Sequence, residues 1–443
     1  MTIRNHILSL NMLKIAIIVW LILSIGVSAQ DWVEFEEVTM TNIQVSLDLG
    51  VNDTFEKDLL TADLDNDGDQ DIIIVRKVRF STPGGKPNVL VMNESGVMVD
   101  RTAALAPQFL DETDDRDVIA VDVNNDGWLD VVTATTFGHI PRVYMNRGEV
   151  NDTWQGLEYI DDDNRILPFA IPPQFCAIAA GDVNGDTFPD LFLVDYANQL
   201  EDRLLINNGN GFFIDETDTR MTAAMSESVF GTSTEIYDIN NDGFNDIIKV
   251  SSSGSLPPPG STVPQVRILY NDGNGQFTQM STFNNLTPYM MELIDVDNDG
   301  RKDIFVVSDD QDKVMLNTGN DDDEIAQFDI NDISNSPNTQ FFGGNTFSVD
   351  LNKDGFQDMF IADVDTDIQG CNRNLVVLKN NAGTSLTDPF DGTNRPWLTQ
   401  GTFDIAVADY NGDGFDDIWS GTCTGNRMFL QVPADLIYIN GFE

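Results

Sequence analysis

A nine-residue acidic pattern that recurs seven times constrains the fold of this chain more than any other feature. The pattern is D-x-[DN]-x-D-G-x-x-D, and its copies begin 55 to 60 residues apart. The copies are DLDNDGDQD (63–71), DVNNDGWLD (122–130), DVNGDTFPD (182–190), DINNDGFND (238–246), DVDNDGRKD (295–303), DLNKDGFQD (350–358) and DYNGDGFDD (409–417). Repetition at this period indicates a chain built from similar supersecondary units that pack against one another.

Short apolar runs on both sides of the acidic copies predict β-strands. One run precedes the copy, as in DVIAVDV (117–123), and another follows it, as in DVVTA (130–134). A third run such as RLLINNG (203–209) leads into a Gly/Asn turn and a fourth run, FFIDET (212–217), which is a hairpin signal. Each unit therefore has four strands. The sequence predicts an all-β, seven-bladed β-propeller with an acidic loop between the first two strands of each blade.

The two ends of the chain offer alternative ways of closing the ring. The segment DWVEFEEVTM (31–40) resembles the fourth-strand segment FFIDETDTR (212–220). We therefore expect residues 31–40 to supply the outer strand of the last blade. The C-terminal segment LIYINGFE (436–443) could take the same place.

The N-terminus reads as a secretory signal peptide at residues 1–29. Arg4 and Lys14 precede an apolar run over 15–27, and a small-residue cleavage site ends at Ala29. The run is shorter than the ~20 residues that a membrane-spanning helix needs, although an uncleaved anchor is the alternative reading. We expect residues 30–443 to form a single propeller without membrane insertion. Its location would be secreted, periplasmic or at the cell surface, and it would be a monomer.

The balance of charges limits the partners of this protein. The chain has 73 acidic and 24 basic residues and a formal net charge of −49. A field of this sign repels phosphate backbones, so nucleic acid is excluded as a partner. The same charges repel one another in the compact state unless bound cations neutralise some of them.

The acidic copies have the ligands of an oxygen-only metal site. Side-chain oxygens at positions 1, 3, 5 and 9 and a carbonyl at position 7 suit Ca²⁺, and no His or Cys is present for softer metals. Up to seven calcium ions are predicted, although solvated turns without an ion are the alternative. The predicted ligands are Asp63, Asp65, Asp67, Asp71, Asp122, Asn124, Asp126, Asp130, Asp182, Asn184, Asp186, Asp190, Asp238, Asn240, Asp242, Asp246, Asp295, Asp297, Asp299, Asp303, Asp350, Asn352, Asp354, Asp358, Asp409, Asn411, Asp413 and Asp417.

The seven copies are not equivalent. Thr187 stands at position 6 of the third copy, where the others have glycine, so a strained turn and the weakest site are expected there. Asp65 and Asp297 stand at position 3, where the others have Asn, which predicts tighter binding in the first and fifth copies. Position 7 is aromatic in five copies, and we expect those rings to pack against their blades.

The acidic copies, the apolar strand after each of them and the NNGNG turn (207–211) resemble FG-GAP/VCBS-type repeats. These are the calcium-binding propeller repeats of integrin α-subunits and of many secreted bacterial proteins. The resemblance covers about residues 31–432 and lacks clear Phe-Gly and Gly-Ala-Pro signatures, so it is closer to the bacterial form. It implies a seven-bladed propeller with calcium in the loop between the first two strands of a blade. Thr187 departs from the family pattern.

In such a propeller the connections between second and third strands lie on the face opposite the calcium loops. Here they are irregular: 76–88, 136–142, 251–265 and 364–374. Variable connections on a rigid scaffold are where recognition usually occurs. Cys371 and Cys423 fall in such connections of neighbouring blades, so a disulfide between them is one possibility. Cys176 is expected to be a buried core residue.

The sequence offers few candidates for catalytic residues, and we predict none. His139 is the one histidine after residue 29, and no nucleophile, zinc or phosphate-binding motif is present. The first hypothesis is a non-catalytic propeller that binds a protein or a glycan, in adhesion or surface recognition. The main alternative is a carbohydrate-active enzyme, a lyase or hydrolase, on the same scaffold. A purely structural component is the third.

Overall fold

Seven sheets, antiparallel in their four main strands, are arranged around one axis, as the repeats predict. The computed structural model describes residues 32–44, 53–78, 82–197, 201–228, 230–252, 264–284, 286–308, 311–333, 344–362, 371, 375–390, 395 and 397–432. The predicted signal peptide and the segment 436–443 lie outside these residues. The chain is therefore an all-β propeller with seven blades, and each blade has at least four strands.

The strands of each blade follow one another in sequence from the axis outward. Blade one contains β3 (Glu56–Ala62), β4 (Asp71–Lys77), β5 (Val89–Asn93), β6 (Met98–Asp100) and an added β2 (Ile43–Gln44). Blade two contains β7 (Asp115–Val121), β8 (Asp130–Thr135), β9 (Arg142–Asn146) and β10 (Leu157–Glu158). Blade three contains β11 (Phe175–Gly181), β12 (Asp190–Asp195), β13 (Arg203–Asn207) and β14 (Phe213–Asp215). Blade four contains β15 (Gly231–Tyr237), β16 (Asp246–Ser251), β17 (Gln265–Asn271) and β18 (Phe277–Phe283).

The last three blades repeat this order. Blade five contains β19 (Pro288–Ile294), β20 (Asp303–Ser308), β21 (Lys313–Asn320) and β22 (Ala326–Asp332). Blade six contains β23 (Thr346–Val349), β24 (Asp358–Ile361), β25 (Val376–Asn380) and β26 (Leu386–Thr387). Blade seven contains β27 (Thr402–Ala408), β28 (Asp417–Thr422), β29 (Gly425–Gln431) and, as its outer strand, β1 (Phe35–Glu37).

The N-terminal strand closes the ring, which confirms the expectation for residues 31–40. β1 pairs antiparallel with β29, with Phe35 opposite Gln431 and Glu37 opposite Phe429. The chain then crosses to blade one, where β2 runs parallel to β6. This fifth strand is absent from the sequence prediction, because two residues carry no recognisable strand period.

The hydrophobic core lies between neighbouring blades. Successive side chains of a strand point to opposite faces of its sheet. On β4, Ile73 and Val75 accordingly pack with residues of blade two, whereas Ile72 and Ile74 pack with residues of blade seven. Both faces of each second strand are buried, which explains why these strands read as continuous apolar runs.

Helices are short throughout the described residues. They are α1 (Thr39–Asn42), α2 (Thr102–Leu105), α3 (Thr217–Arg220) and α4 (Ala223–Ser226), with 3₁₀ turns at Pro107–Leu110 and Asp161–Asp163. None of the helices in the described ranges has the length and hydropathy that a membrane crossing requires.

Cys371 and Cys423 form a disulfide between blades six and seven, with a Cα–Cα distance of 6.1 Å. The pairing suggested by their positions is thereby confirmed. Cys176 is buried at the start of β11, as expected for a small core residue.

Candidate functional site

The seven nine-residue copies, called acidic loops below, each join the first and second strands of a blade. In every acidic loop the carboxylate at position 1 accepts the backbone N–H of position 6. In the first loop Gly68 N lies 3.1 Å from Asp63 Oδ2. The carboxylate at position 5 accepts the N–H of position 7 in all seven, as Asp126 Oδ1 does from Trp128 N at 3.0 Å. These bonds curl the backbone around its own carboxylates and leave the remaining lone pairs available for a ligand.

The aspartate at position 9 of each acidic loop is buried, with at most 2% of its surface exposed. One oxygen accepts the N–H at the end of the third strand of the same blade, as Asp130 does from Asn146 at 2.7 Å. The other oxygen of Asp130 accepts Val123 N at 3.0 Å. Position 9 therefore fastens the acidic loop to its blade, in addition to the ligand role predicted for it.

A ring of amide side chains joins neighbouring blades beneath the acidic loops. The residue at the end of each third strand donates its side-chain amide to the position 2 carbonyl of the preceding loop. The donors are Asn93, Asn146, Asn207, Asn271, Asn317, Asn380 and Gln431. Sequence reasoning missed this role, because these residues were interpreted only as part of the hairpin turns that follow them. Their recurrence at one position of each unit is the signal that could have identified them.

Carboxylate oxygens converge in two of the acidic loops closely enough to share a cation. In the first loop the oxygens of Asp63, Asp65 and Asp67 lie within 4.8 Å of one another. In the fifth loop the same holds for Asp295, Asp297 and Asp303. These two loops carry Asp at position 3, and the other five have a neutral Asn there. Hard oxygen ligands at this spacing fit Ca²⁺.

Burial makes the position 9 carboxyls sensitive to a neighbouring cation. Loss of hydration raises the pKa of Asp71 to about 8 and that of Asp303 to about 6, although backbone N–H groups lower both. The pKa of Asp130 rises to about 7 for the same reason. A bound cation would therefore compete with protons for these carboxylates near neutral pH.

Thr187 takes the strained conformation that its position predicts. Its φ is +76°, in the region that favours glycine, while its N–H still reaches Asp182 Oδ2 at 2.8 Å. The third loop thus keeps the shape of the others at the expense of backbone strain. Position 4 of every acidic loop also has positive φ, and its frequent Asn or Gly reflects this requirement.

Replacing Thr187 with glycine is expected to raise the free energy of unfolding by about 1 kcal/mol, because glycine reaches positive φ without a Cβ clash. The matched control is Gly127→Thr in the second loop, where φ is +90° and no heavy atom lies within 4 Å of an added Cβ. The free energy of unfolding of this control should fall by a similar amount. Chemical denaturation measures both, and equal stability of T187G and the unchanged protein would contradict the strain.

Four of the five aromatic residues at position 7 lie against the hairpin of their own blade, as expected: Trp128, Phe188, Phe244 and Phe356. A Cβ added to Gly209 would lie 2.9 Å from the ring of Phe188, and one added to Gly273 would lie 2.7 Å from that of Phe244. The glycines of the third-to-fourth hairpins therefore make room for these rings, and the rings support the acidic loops.

The opposite end of the propeller, called the connection face below, carries the second-to-third and inter-blade connections. Phe137, Tyr196 and Phe230 form an aromatic row there across blades two to four. Adjacent ring centroids are 6.5 and 5.9 Å apart, at edge-to-face angles of 78° and 75°. All three rings are partly exposed, and the guanidinium of Arg116 lies 5.3 Å from the centroid of the Tyr196 ring.

Two members of the aromatic row sit on strained backbone. Phe137 has φ +55° and Phe230 has φ +57°, which bulky residues rarely adopt. Such strain is of order 1–3 kcal/mol per residue and is concentrated at ligand-binding sites. His139 is exposed on the same face, with Nε2 3.3 Å from Asp114 Oδ2. Residues 79–81, 253–263 and most of 364–374 lie outside the described part of the connection face.

The architecture defines a class: a seven-bladed β-propeller whose blades each carry an acidic loop between the first and second strands. The FG-GAP-like repeat family matches this sequence at residues 63–133, 182–249 and 350–420. The chain carries FG-GAP-type repeats, as its loops and strands indicate. No curated protein sequence matches it.

Solved structures with the same fold are distant in sequence. One is a lectin of Agrocybe aegerita described for specific recognition of non-reducing terminal N-acetylglucosamine, at 16% identity, TM-score 0.50, and coverage of 84% of this chain and 87% of that one. Another is BBS1N in complex with ARL6DN, at 11% identity, TM-score 0.48, and coverage of 87% and 94%. YCF48 bound to D1 peptide has 10% identity, TM-score 0.43, and coverage of 87% and 98%. At 16% identity the likeness to the lectin concerns the fold alone.

Proposed function

We propose that this protein is an exported, calcium-stabilised and non-catalytic propeller that binds a protein or a glycan through its connection face. The observation that carries the proposal is the aromatic row of Phe137, Tyr196 and Phe230. The lectin of similar fold, which recognises N-acetylglucosamine, supports recognition as the role of such a scaffold. Calcium would be held by the oxygens at positions 1, 3, 5 and 9 of the acidic loops, where it would supply positive charge.

The aromatic row has the properties of a recognition surface. Its rings expose apolar faces beside the Arg116 guanidinium, so the surface offers stacking area together with a hydrogen-bond donor. Ile171, 56% exposed, lies on the inter-blade connection beside it, where Gly138 N donates to Pro173 O at 3.0 Å. Exposed apolar residues next to partly exposed aromatic rings favour binding to another molecule.

Replacing Tyr196 with alanine is expected to weaken binding about 10-fold or more, because central aromatic residues dominate recognition interfaces. The measurement is equilibrium binding to ligands found on glycan arrays and peptide libraries. Phe244→Ala, which removes a 44% exposed aromatic ring at an acidic loop, is the matched control and should bind normally. Loss of binding in F244A but not in Y196A would place recognition on the face of the acidic loops and would contradict the proposal. Product release from a bound polysaccharide would instead establish an enzyme.

A further inference from the structure

Six acidic residues line the channel along the propeller axis. The first strands of all seven blades surround this channel, whose volume is about 510 Å³. Its acids are Asp58 on β3, Asp115 and Asp117 on β7, Glu235 on β15, Glu292 on β19 and Asp404 on β27. None of them belongs to an acidic loop. Six ionised carboxylates in one channel would repel one another strongly, so their charge has to be reduced.

Three of these carboxyl groups form one cluster. Asp58 interacts with both Asp404 and Asp117, whose charges and oxygens raise its pKa, and Asp404 Oδ2 accepts the N–H of Leu59, the residue next to Asp58. Two ionised carboxylates cannot hydrogen bond to each other, because both have only acceptor oxygens. A hydrogen bond between any two of them therefore requires a proton on one of the two carboxyl groups.

The environment of this cluster favours protonation. Burial, followed by the charges of Asp404 and Asp117, raises the pKa of Asp58 well above its usual range. Burial also raises the pKa of Asp404 to about 7 and that of Asp117 to about 6, although backbone N–H groups lower both. Within the described residues, no Lys or Arg is among the main influences on the pKa of any of the three.

The cluster connects the inner strands of consecutive blades. Asp404 Oδ2 accepts Leu59 N of blade one at 2.7 Å, and Asp117 Oδ2 accepts Ile178 N of blade three at 2.8 Å. The side-chain amide of Asn345, just before β23 of blade six, donates to Asp58. Blades seven and one are the last and the first in chain order. Asp58 and Asp404 thus meet where the ring closes.

The inner strands β11 and β23 contribute no charged side chain to the channel lining. β11 presents Ile178 with Cys176 near its end, and β23 presents Phe347. Glu235 and Glu292 face the channel from the far side, where burial raises the pKa of Glu235 to about 8 and that of Glu292 to about 7. The end of the channel at the connection face is lined by Lys77, Asp115 and Arg116.

We propose that Asp58 shares protons with Asp404 across the seam between the last and first blades and with Asp117 of blade two, and that this cluster is a pH-sensitive closure of the propeller ring. A carboxyl that holds its proton more tightly in the fold contributes stability that is complete at low pH. That stability is lost as the pH rises through the folded-state pKa. The contact between the last and first blades is therefore most stable at low pH and less stable at high pH, where the ionised carboxylates repel one another.

The test uses the full chain with calcium at saturation. Infrared spectroscopy near pH 7 should show the C=O band of a protonated carboxylic acid, and Asp58→Asn should remove part of it. The melting temperature of D58N relative to the unchanged protein should rise by about 2 °C or more between about pH 5 and about pH 9, because asparagine keeps the hydrogen bonds and cannot ionise. Asp322→Asn, at an exposed hairpin, is the control and should follow the unchanged protein.

Two results would overturn the proposal. One is a spectrum without protonated carboxyl, which would mean that the carboxylates are ionised and compensated by a cation or by water. The other is a D58N melting temperature that runs parallel to that of the unchanged protein at every pH. If D58N fails to fold, Asp117→Asn replaces it. The same two measurements apply to D117N, with the same expected results. Neither outcome depends on ligand binding at the connection face.

Discussion

Addition of a calcium chelator is expected to lower the melting temperature of this protein by about 10 °C or more. An ion that binds only the folded state stabilises it by about 2.7 kcal/mol at a hundredfold excess over its Kd. Several acidic loops that each bind an ion multiply this effect. Thermal unfolding followed by circular dichroism, with and without chelator, measures the shift, and metal analysis of the dialysed protein counts the ions.

The size of the effect follows from the crowding of charge in the acidic loops. In the first loop the carboxylate oxygens of Asp63, Asp65 and Asp67 lie within 4.8 Å of one another. Without a cation these charges repel one another, and burial together with the charge of Asp67 raises the pKa of Asp65 to about 6. Each calcium ion would offset two of the 49 net negative charges of the chain.

The design of this experiment separates calcium from general salt effects. Magnesium at equal concentration should restore less of the lost stability, because Mg²⁺ demands a more regular coordination and keeps more water. Asp65→Asn converts position 3 of the first loop to the residue found in most other loops, so it should weaken that site without unfolding the protein. An unchanged melting temperature in chelator would refute calcium binding.

Asp130→Ala is expected to lower the free energy of unfolding by about 3–5 kcal/mol, whether or not calcium is present. The substitution removes a fully buried carboxylate and leaves Val123 N and Asn146 N without their acceptor. An unsatisfied buried donor costs about 1–3 kcal/mol, and the cavity adds to this. Chemical denaturation in calcium and in chelator separates the contribution of the buried hydrogen bonds from that of bound calcium.

Asn124→Ala in the same acidic loop is the matched control. Asn124 occupies position 3, where its side chain bonds only within the exposed loop, to Asp126. The control should destabilise the protein in calcium and have little effect in chelator. A D130A variant that matches the unchanged protein in chelator would show that position 9 acts only through the ion.

Much of the fold could be predicted from local sequence. The strands β4, β8 and β12 read correctly because both of their faces are buried, which makes them continuous apolar runs between acidic loops and turns. The short outer strands were harder to predict. β2 consists of Ile43–Gln44, and its pairing with β6 depends on where the chain crosses from blade seven to blade one.

Some features of the candidate site could likewise be predicted from local sequence, and others could not. Thr187 was identified as strained because a turn at position 6 requires positive φ, which is a local property of the backbone. The amide of Asn207 was missed, because its acceptor is Val123 O of the neighbouring blade, 84 residues away. Nothing in the hairpin around Asn207 indicates which carbonyl will lie beside it.

The sequence by itself determined the repeat, the inner strands, the loop shape and the number of blades, since each depends on residues within one unit. Only the tertiary structure decided which residues meet between units. Asp58 and Asp404 come together because the ring closes, and Phe137, Tyr196 and Phe230 align because three blades present their connections on one face. These contacts depend on the angle and distance between packed sheets, which no period along a single chain encodes.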